Sequence, residues 1–159
     1  MILLSVGTQF PFDRLVKAVD DWAVRSDCDD VVGQIGPSQF VARKIKCFSF
    51  LNPSEFRDVQ ERADIIVAHA GMGSILTALE FGKPIVIMPR DHTRNEHRNA
   101  HQLATASRFR NMPGIHVAMD EAALSAILDD LDRLVAANTV SKKAPEAFTA
   151  RLKAFVESV

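Results

Sequence analysis

Residues 64–82 constrain the fold more than any other stretch. Asp64 leads into the apolar, β-branched run Ile65-Ile66-Val67-Ala68-His69. Ala70-Gly71-Met72-Gly73 breaks that run, and Ser74-Ile75-Leu76-Thr77-Ala78-Leu79-Glu80-Phe81 follows, closed by Gly82. The pattern reads as strand, tight loop, then helix with a C-cap glycine. The first amides of such a helix lack internal acceptors and sit at the positive end of its dipole. Where glycines let the backbone come close, the turn therefore suits a phosphate or another anion.

Lys83-Pro84-Ile85-Val86-Ile87-Met88-Pro89 gives another buried strand, which releases the chain into the polar segment 90–102. That segment holds three of the five histidines and three arginines, a poor core and a good binding loop. In parallel α/β sheets ligands sit outside the carboxyl ends of the strands, so both loops are expected to open on one edge.

The remainder alternates in the same way. Residues 2–6 read as a strand ending in Gly7-Thr8-Gln9. Pro11 then fits the first turn of a helix carrying Phe12, Leu15, Val16, Val19, Trp22 and Ala23 at spacings of three and four. Strands follow at 31–36 and 45–50. Asn52 or Ser54 caps a short helix with Phe56, Val59 and Ala63 inward. Residues 102–110 read as a helix stopped by Met112-Pro113-Gly114, and 115–118 as a last strand. Asp120 caps a helix whose stripe runs Leu124, Ile127, Leu128, Leu131, Leu134, Val135. A final helix carries Phe148, Leu152, Phe155, Val156 and Val159. Strands and helices in alternation predict an α/β, doubly wound, Rossmann-like parallel sheet with right-handed crossovers. With no linker and no repeat in sight, residues 1–159 are expected to form one domain.

Composition narrows the function classes. Nineteen basic against twenty acidic side chains leave a net charge of −1, which recommends no nucleic-acid partner. Cys28 and Cys47 have neither metal-ligand spacing nor the density of a disulfide framework, so a cytoplasmic setting is the simpler expectation. No apolar stretch reaches the roughly 20 residues of a membrane span. A nucleophile elbow, a Walker lysine and a GxGxxG fingerprint are all missing, which argues against hydrolase, NTPase and dehydrogenase.

Several side chains keep two readings. His69 either hydrogen-bonds the loop backbone or touches a phosphate or sugar. Gly71 and Gly73 either relieve crowding or open the helix start at Ser74 to a phosphate. Arg90, Arg94 and Arg98 either form a solvated face or neutralise a diphosphate or a sugar carboxylate such as that of glucuronate. His97 and His101 have the i, i+4 spacing of metal ligands but no third group beside them, so no metal is expected. His101 and Gln102, at a helix start, suit hydrogen bonds to hydroxyls.

In combination, Val6-Gly7-Thr8, Ala63-Asp64, His69-Ala70-Gly71-Met72-Gly73-Ser74, Gly82-Lys83-Pro84, Met88-Pro89-Arg90 and Glu96-His97-Arg98-Asn99 through His101-Gln102 resemble the nucleotide-sugar-binding C-terminal half of GT-B glycosyltransferases of family 28. Small catalytic subunits of two-component bacterial exopolysaccharide transferases, and the eukaryotic subunit adding the second GlcNAc of the dolichol-linked oligosaccharide, are the most similar branches. The resemblance implies a UDP-sugar as substrate with no other cofactor, glucuronate being a candidate donor sugar, with glucose, galactose and GlcNAc also open. Its diphosphate would lie near Gly7, Thr8 and the loop from Gly71 to Ser74, with its sugar near His101 and Gln102. The glutamate that holds the ribose in relatives falls on Thr77 here. It further implies a membrane-anchored partner subunit that binds a lipid-linked saccharide acceptor and supplies the general base. The chain would then sit in the cytoplasm, peripheral at the inner face of the membrane through that partner. A non-catalytic nucleotide-binding or regulatory module of the same fold is the alternative.

Overall fold

Runs such as Ile2–Ser5 and Ile85–Met88 are buried at every position, as strands covered on both faces must be. In the computed structural model, which describes residues 1–136 together with 150, 151 and 153, these two runs and four others form one six-stranded sheet, whose edge strand at Lys46–Phe48 is only partly buried. They are β1 (Ile2–Ser5), β2 (Val31–Gln34), β3 (Lys46–Phe48), β4 (Ile65–His69), β5 (Ile85–Met88) and β6 (Ile115–Val117). All pairs are parallel and the order is β3-β2-β1-β4-β5-β6.

Side chains alternate between the faces with the period of two that a pleated strand imposes. Leu4, Val67, Val86 and Met88 meet α1 (Asp13–Arg25) and α5 (Glu121–Leu128) through Leu15, Val19, Trp22, Leu124 and Leu128. Leu3, Ile66, Ile85 and Ile87 meet α2 (Pro53–Arg62), α3 (Met72–Glu80) and α4 (His101–Phe109) through Val59, Ile75, Ala78 and Ala106. The sheet is doubly wound, as its alternating pattern predicts.

Several boundaries differ from the sequence reading. Pro11 precedes α1 and does not sit in its first turn, because Phe12 is the N-cap. Of the two caps read from the sequence, Asn52 and not Ser54 starts α2. Its side chain accepts from the Ser54 and Glu55 amides while Glu55 returns a bond to the Asn52 N–H. The apolar stripe from Leu124 to Val135 is not one helix: α5 stops at Leu128, Leu131–Arg133 forms a 3-10 turn, and Val135 is exposed. Asp129 explains the stop. Its carboxylate is drawn across to Trp22 Nε1 at 3.1 Å and to Arg25 at 2.7 Å, and a negative charge at a helix C-terminus opposes the dipole. The expected helix through Phe148 and Val159 lies outside the described residues.

Buried Asp20, 0% exposed, accepts the backbone N–H groups of Arg43, Lys44 and Ile45, pinning the loop before β3 to α1. Burial alone would raise its pKa, but these bonds, with the Arg43 side chain, bring it below the ordinary carboxylate value. No helix among the described residues is long and apolar enough to cross a membrane.

Candidate functional site

β1 lies between β2 and β4, so successive crossovers run outward in opposite directions from the β1–β4 pair. That is the switch point at which an open parallel sheet leaves a crevice beyond its carboxyl ends. The Gly7-Thr8 loop leaves β1 there and the short Ala70-Gly71 turn leaves β4, shorter than the expected loop through Ser74 because α3 already begins at Met72. Two cavities open at this edge, of about 240 and 250 Å³. They meet at Gly7, Thr8 and His69.

The first cavity has a floor of Leu3, Ser5 and Ile66. Its walls are Phe56 and Gln60 from α2 and Gly73, Ser74 and Thr77 around the start of α3. His69 is its only ionisable lining group. The second holds Phe10, Arg90, His97 and Gln102.

His69 sits between the two. Its Nδ1 lies 3.4 Å from the Ser5 carbonyl, which assigns the proton to Nδ1 and leaves Nε2 an acceptor. Burial, joined by the nearby charge of Arg90, pushes its pKa down to about 4, against the opposing pull of the Ser5 bond. The ring is neutral at pH 7. It also explains one glycine: a Cβ at Gly71 would lie 2.3 Å from Nε2. Gly7 adopts φ +79°, and a Cβ there would lie 3.2 Å from the same ring. Gly73 differs, since a Cβ there would meet nothing within 4 Å. Of the two readings of the pair, crowding accounts for Gly71 alone. Gly73 leaves open space in front of an α3 N-terminus that no side chain caps.

The arginines of the polar segment separate. Arg90 is not part of a solvated face: it is 2% exposed. Its guanidinium donates to the carbonyls of Val6 (2.5 Å), Phe10 (2.8 Å) and Pro11, stacked 4.7 Å from the Phe12 ring centroid. Burial lowers its pKa to about 10, so it stays charged at neutral pH. Arg94 is exposed near Asp91 and Glu121, and Arg98 lies over the Phe10 ring at 5.4 Å. The segment itself is held from below. Arg14 of α1 donates to both Glu96 oxygens at 2.7 and 2.8 Å, and to the Pro89 carbonyl at 3.1 Å. Gln102, 7% exposed, accepts the Arg90 N–H on Oε1 at 3.1 Å. Its Nε2 hydrogens are thereby left for the second cavity.

Gly7, Thr8, His69, Gly73, Ser74, Thr77, Arg90 and Gln102 thus line one cavity or the other, and Gly71 shapes the floor through His69. Met72, Arg98 and His101 line neither. The sequence reading missed Gln34, Phe56, Gln60 and the Arg14–Glu96 pair. Gln34, a polar residue inside a predicted strand, carried a signal; Phe56 was read only as an inward-facing residue of its helix, Glu96 only as part of the family motif, and Gln60 and Arg14 carried none. Among the described residues, no group of three His, Cys, Asp or Glu side chains is placed to hold a metal ion.

The chain matches the glycosyltransferase family 28 C-terminal domain over residues 1–158. It belongs to that family. Within family 28, it is 32% identical over 109 residues to "UDP-N-acetylglucosamine transferase subunit ALG13" of Mus musculus, covering 60% of this chain and 9% of that relative. An NMR solution structure of ALG13 superposes with a TM-score of 0.62 at 18% identity, covering 95% of this chain and 93% of that one. Acinetobacter baumannii MurG superposes with a TM-score of 0.55 at 17% identity, over 82% of this chain and 40% of MurG. The fold of this family 28 domain is that of the C-terminal half of a GT-B enzyme.

Proposed function

We propose that the chain is the donor-binding, catalytic subunit of an inverting UDP-sugar glycosyltransferase, extending a lipid-linked exopolysaccharide or oligosaccharide with a membrane-associated partner subunit that binds the acceptor. One observation carries this reading: two cavities meet at Gly7, Thr8 and His69 at the sheet's switch point, the first of them lined by the uncapped start of α3. The uncharged first cavity takes the nucleoside, with Thr77 and Gln60 facing the ribose. The diphosphate spans Gly7, Thr8 and the amides of Met72, Gly73 and Ser74, where the helix dipole and open space favour an anion. The sugar enters the second cavity beside Gln102.

In this reading an acceptor hydroxyl attacks the anomeric carbon as the bond from that carbon to the diphosphate oxygen breaks, inverting the centre. The proton goes to a base, and the developing charge on the departing UDP falls on the α3 amides, within the field of Arg90. Neither cavity is lined by Asp or Glu, so the base is assigned to the partner, at the inner face of the membrane. A glucuronyl donor draws no support from the cavity. Arg94 and Arg98 lie outside it and Arg90 is bonded to carbonyls, which favours a neutral hexose or N-acetylhexosamine.

The same lack of a carboxylate supports a second reading, a module that binds nucleotide without turnover. Calorimetric titration with UDP and UDP-sugars, with and without the partner, tests the first. No binding in either state removes it, and binding with no transfer in the complex leaves the second.

A further inference from the structure

Gln34 closes β2 at the edge where both cavities open, with 5% of its surface exposed. The Leu51 N–H donates to its Oε1 at 2.9 Å. An oxygen held by an N–H fixes which end of the amide is which, so the two Nε2 hydrogens face away from Leu51. Among the described residues nothing accepts from Nε2, yet no buried side-chain polar atom is orphaned, so Nε2 opens on the first cavity, which Gln34 lines. Gln102 repeats the arrangement in the second cavity with the Arg90 N–H. Each cavity therefore contains one glutamine converted by a backbone amide into a head that only donates.

We infer that Gln34 reads the nucleobase, its Nε2 donating to the carbonyl at position 4 of a pyrimidine, so that the cavity selects uracil over cytosine. This rests on the nucleotide-sugar reading above. With the diphosphate at the α3 start, the glycosidic nitrogen of a bound nucleoside faces the rim. The ring atom opposite that nitrogen, carbon 4, goes deepest, between Phe56 and the floor of Leu3 and Ile66. Uracil carries an oxygen there and cytosine an amino group. An amino group would set donor against donor at a buried position, at a cost of about tenfold or more in affinity. Thymine, with the same oxygen, passes this filter.

A merely structural glutamine would serve only to hold Leu51. Gln34→Glu separates the roles, because it keeps an oxygen for the Leu51 N–H and removes both donors. Calorimetry with UDP and CDP on the full chain is expected to show UDP bound about tenfold or more tighter by the wild type. In the variant UDP affinity falls by a similar factor, and the preference over CDP narrows or inverts. Equal losses for both nucleotides, or an unchanged ratio, overturn the assignment while leaving nucleotide binding intact. Failure of the wild type to bind either one, both alone and with the partner subunit, removes the underlying reading and this inference with it. Should the variant not fold, the wild-type Gln34 side-chain NH₂ resonances decide by ¹H–¹⁵N NMR. They are expected to move with UDP and not with inorganic pyrophosphate, and no movement with UDP overturns the proposal.

Discussion

His69 shows how one side chain can set the pH range of a fold. With its pKa pushed from 6.5 to about 4, the unfolded chain takes up the proton first. The resulting stability is full above pH 6.5 and disappears as pH falls from 6.5 towards 4, by up to about 3 kcal/mol. Urea denaturation at pH 7 and pH 4.5 is expected to show this slope in the wild type and a shallower one in His69→Gln; equal slopes would remove the assignment. Gln102 carries a separate prediction. Because its free donors face the second cavity, Gln102→Ala is expected to weaken discrimination among UDP-sugars more than affinity for UDP. Equal losses in competition binding would count against that role. Gln102 was legible as a hydroxyl-binding side chain at a helix start, but Gln34 was not, and for neither did the sequence show the backbone N–H that orients its amide.

Among the elements, the polar segment after β5 shows why its sequence was hard to interpret. A density of arginine and histidine suggests a solvated, anion-seeking loop, yet its two anchors face inward. Arg90 bonds main-chain carbonyls, which leave no trace in a sequence, and Glu96 meets Arg14, 82 positions away. Both charges of the Arg14–Glu96 pair are little exposed, at 12% and 13%, so solvent screens them weakly. A double-mutant cycle with Arg14→Ala and Glu96→Ala is expected to give a coupling of about 0.5–3 kcal/mol. Hydrogen exchange should quicken over residues 91–100 and not in the body of α1, and a coupling near zero would mean that the pair is incidental. The strands and the α1 stripe were legible because burial on two faces forces continuous apolar runs and a 3.6-residue period. The end of α5 was not, because Trp22 and Arg25 decide it from another helix.

Across the whole molecule, alternation of strands and helices announced a doubly wound sheet, but not which strands would be neighbours. The order that places the β1 and β4 loops side by side comes from crossovers that no local pattern encodes. A cleft built between two such loops links ligand binding to global stability. UDP at 100 times its dissociation constant is expected to stabilise the chain by about 2.7 kcal/mol, raising the melting temperature by roughly 5–10 °C. Calorimetric scans read this directly, and an unshifted transition at saturating UDP, both alone and with the partner subunit, would contradict the nucleotide reading.

The crossing of His69 with its glycines also has a historical consequence. A side chain arising at position 71 would collide with the imidazole, whereas one arising after position 69 had shed its ring would be relieved of that collision. Gly36 bears on Gly7 in turn, since a methyl at 36 would come within 2.6 Å of the Gly7 oxygen. Change at position 71 is thus tied to change at 69, while position 36 is held by main chain that no substitution nearby can remove.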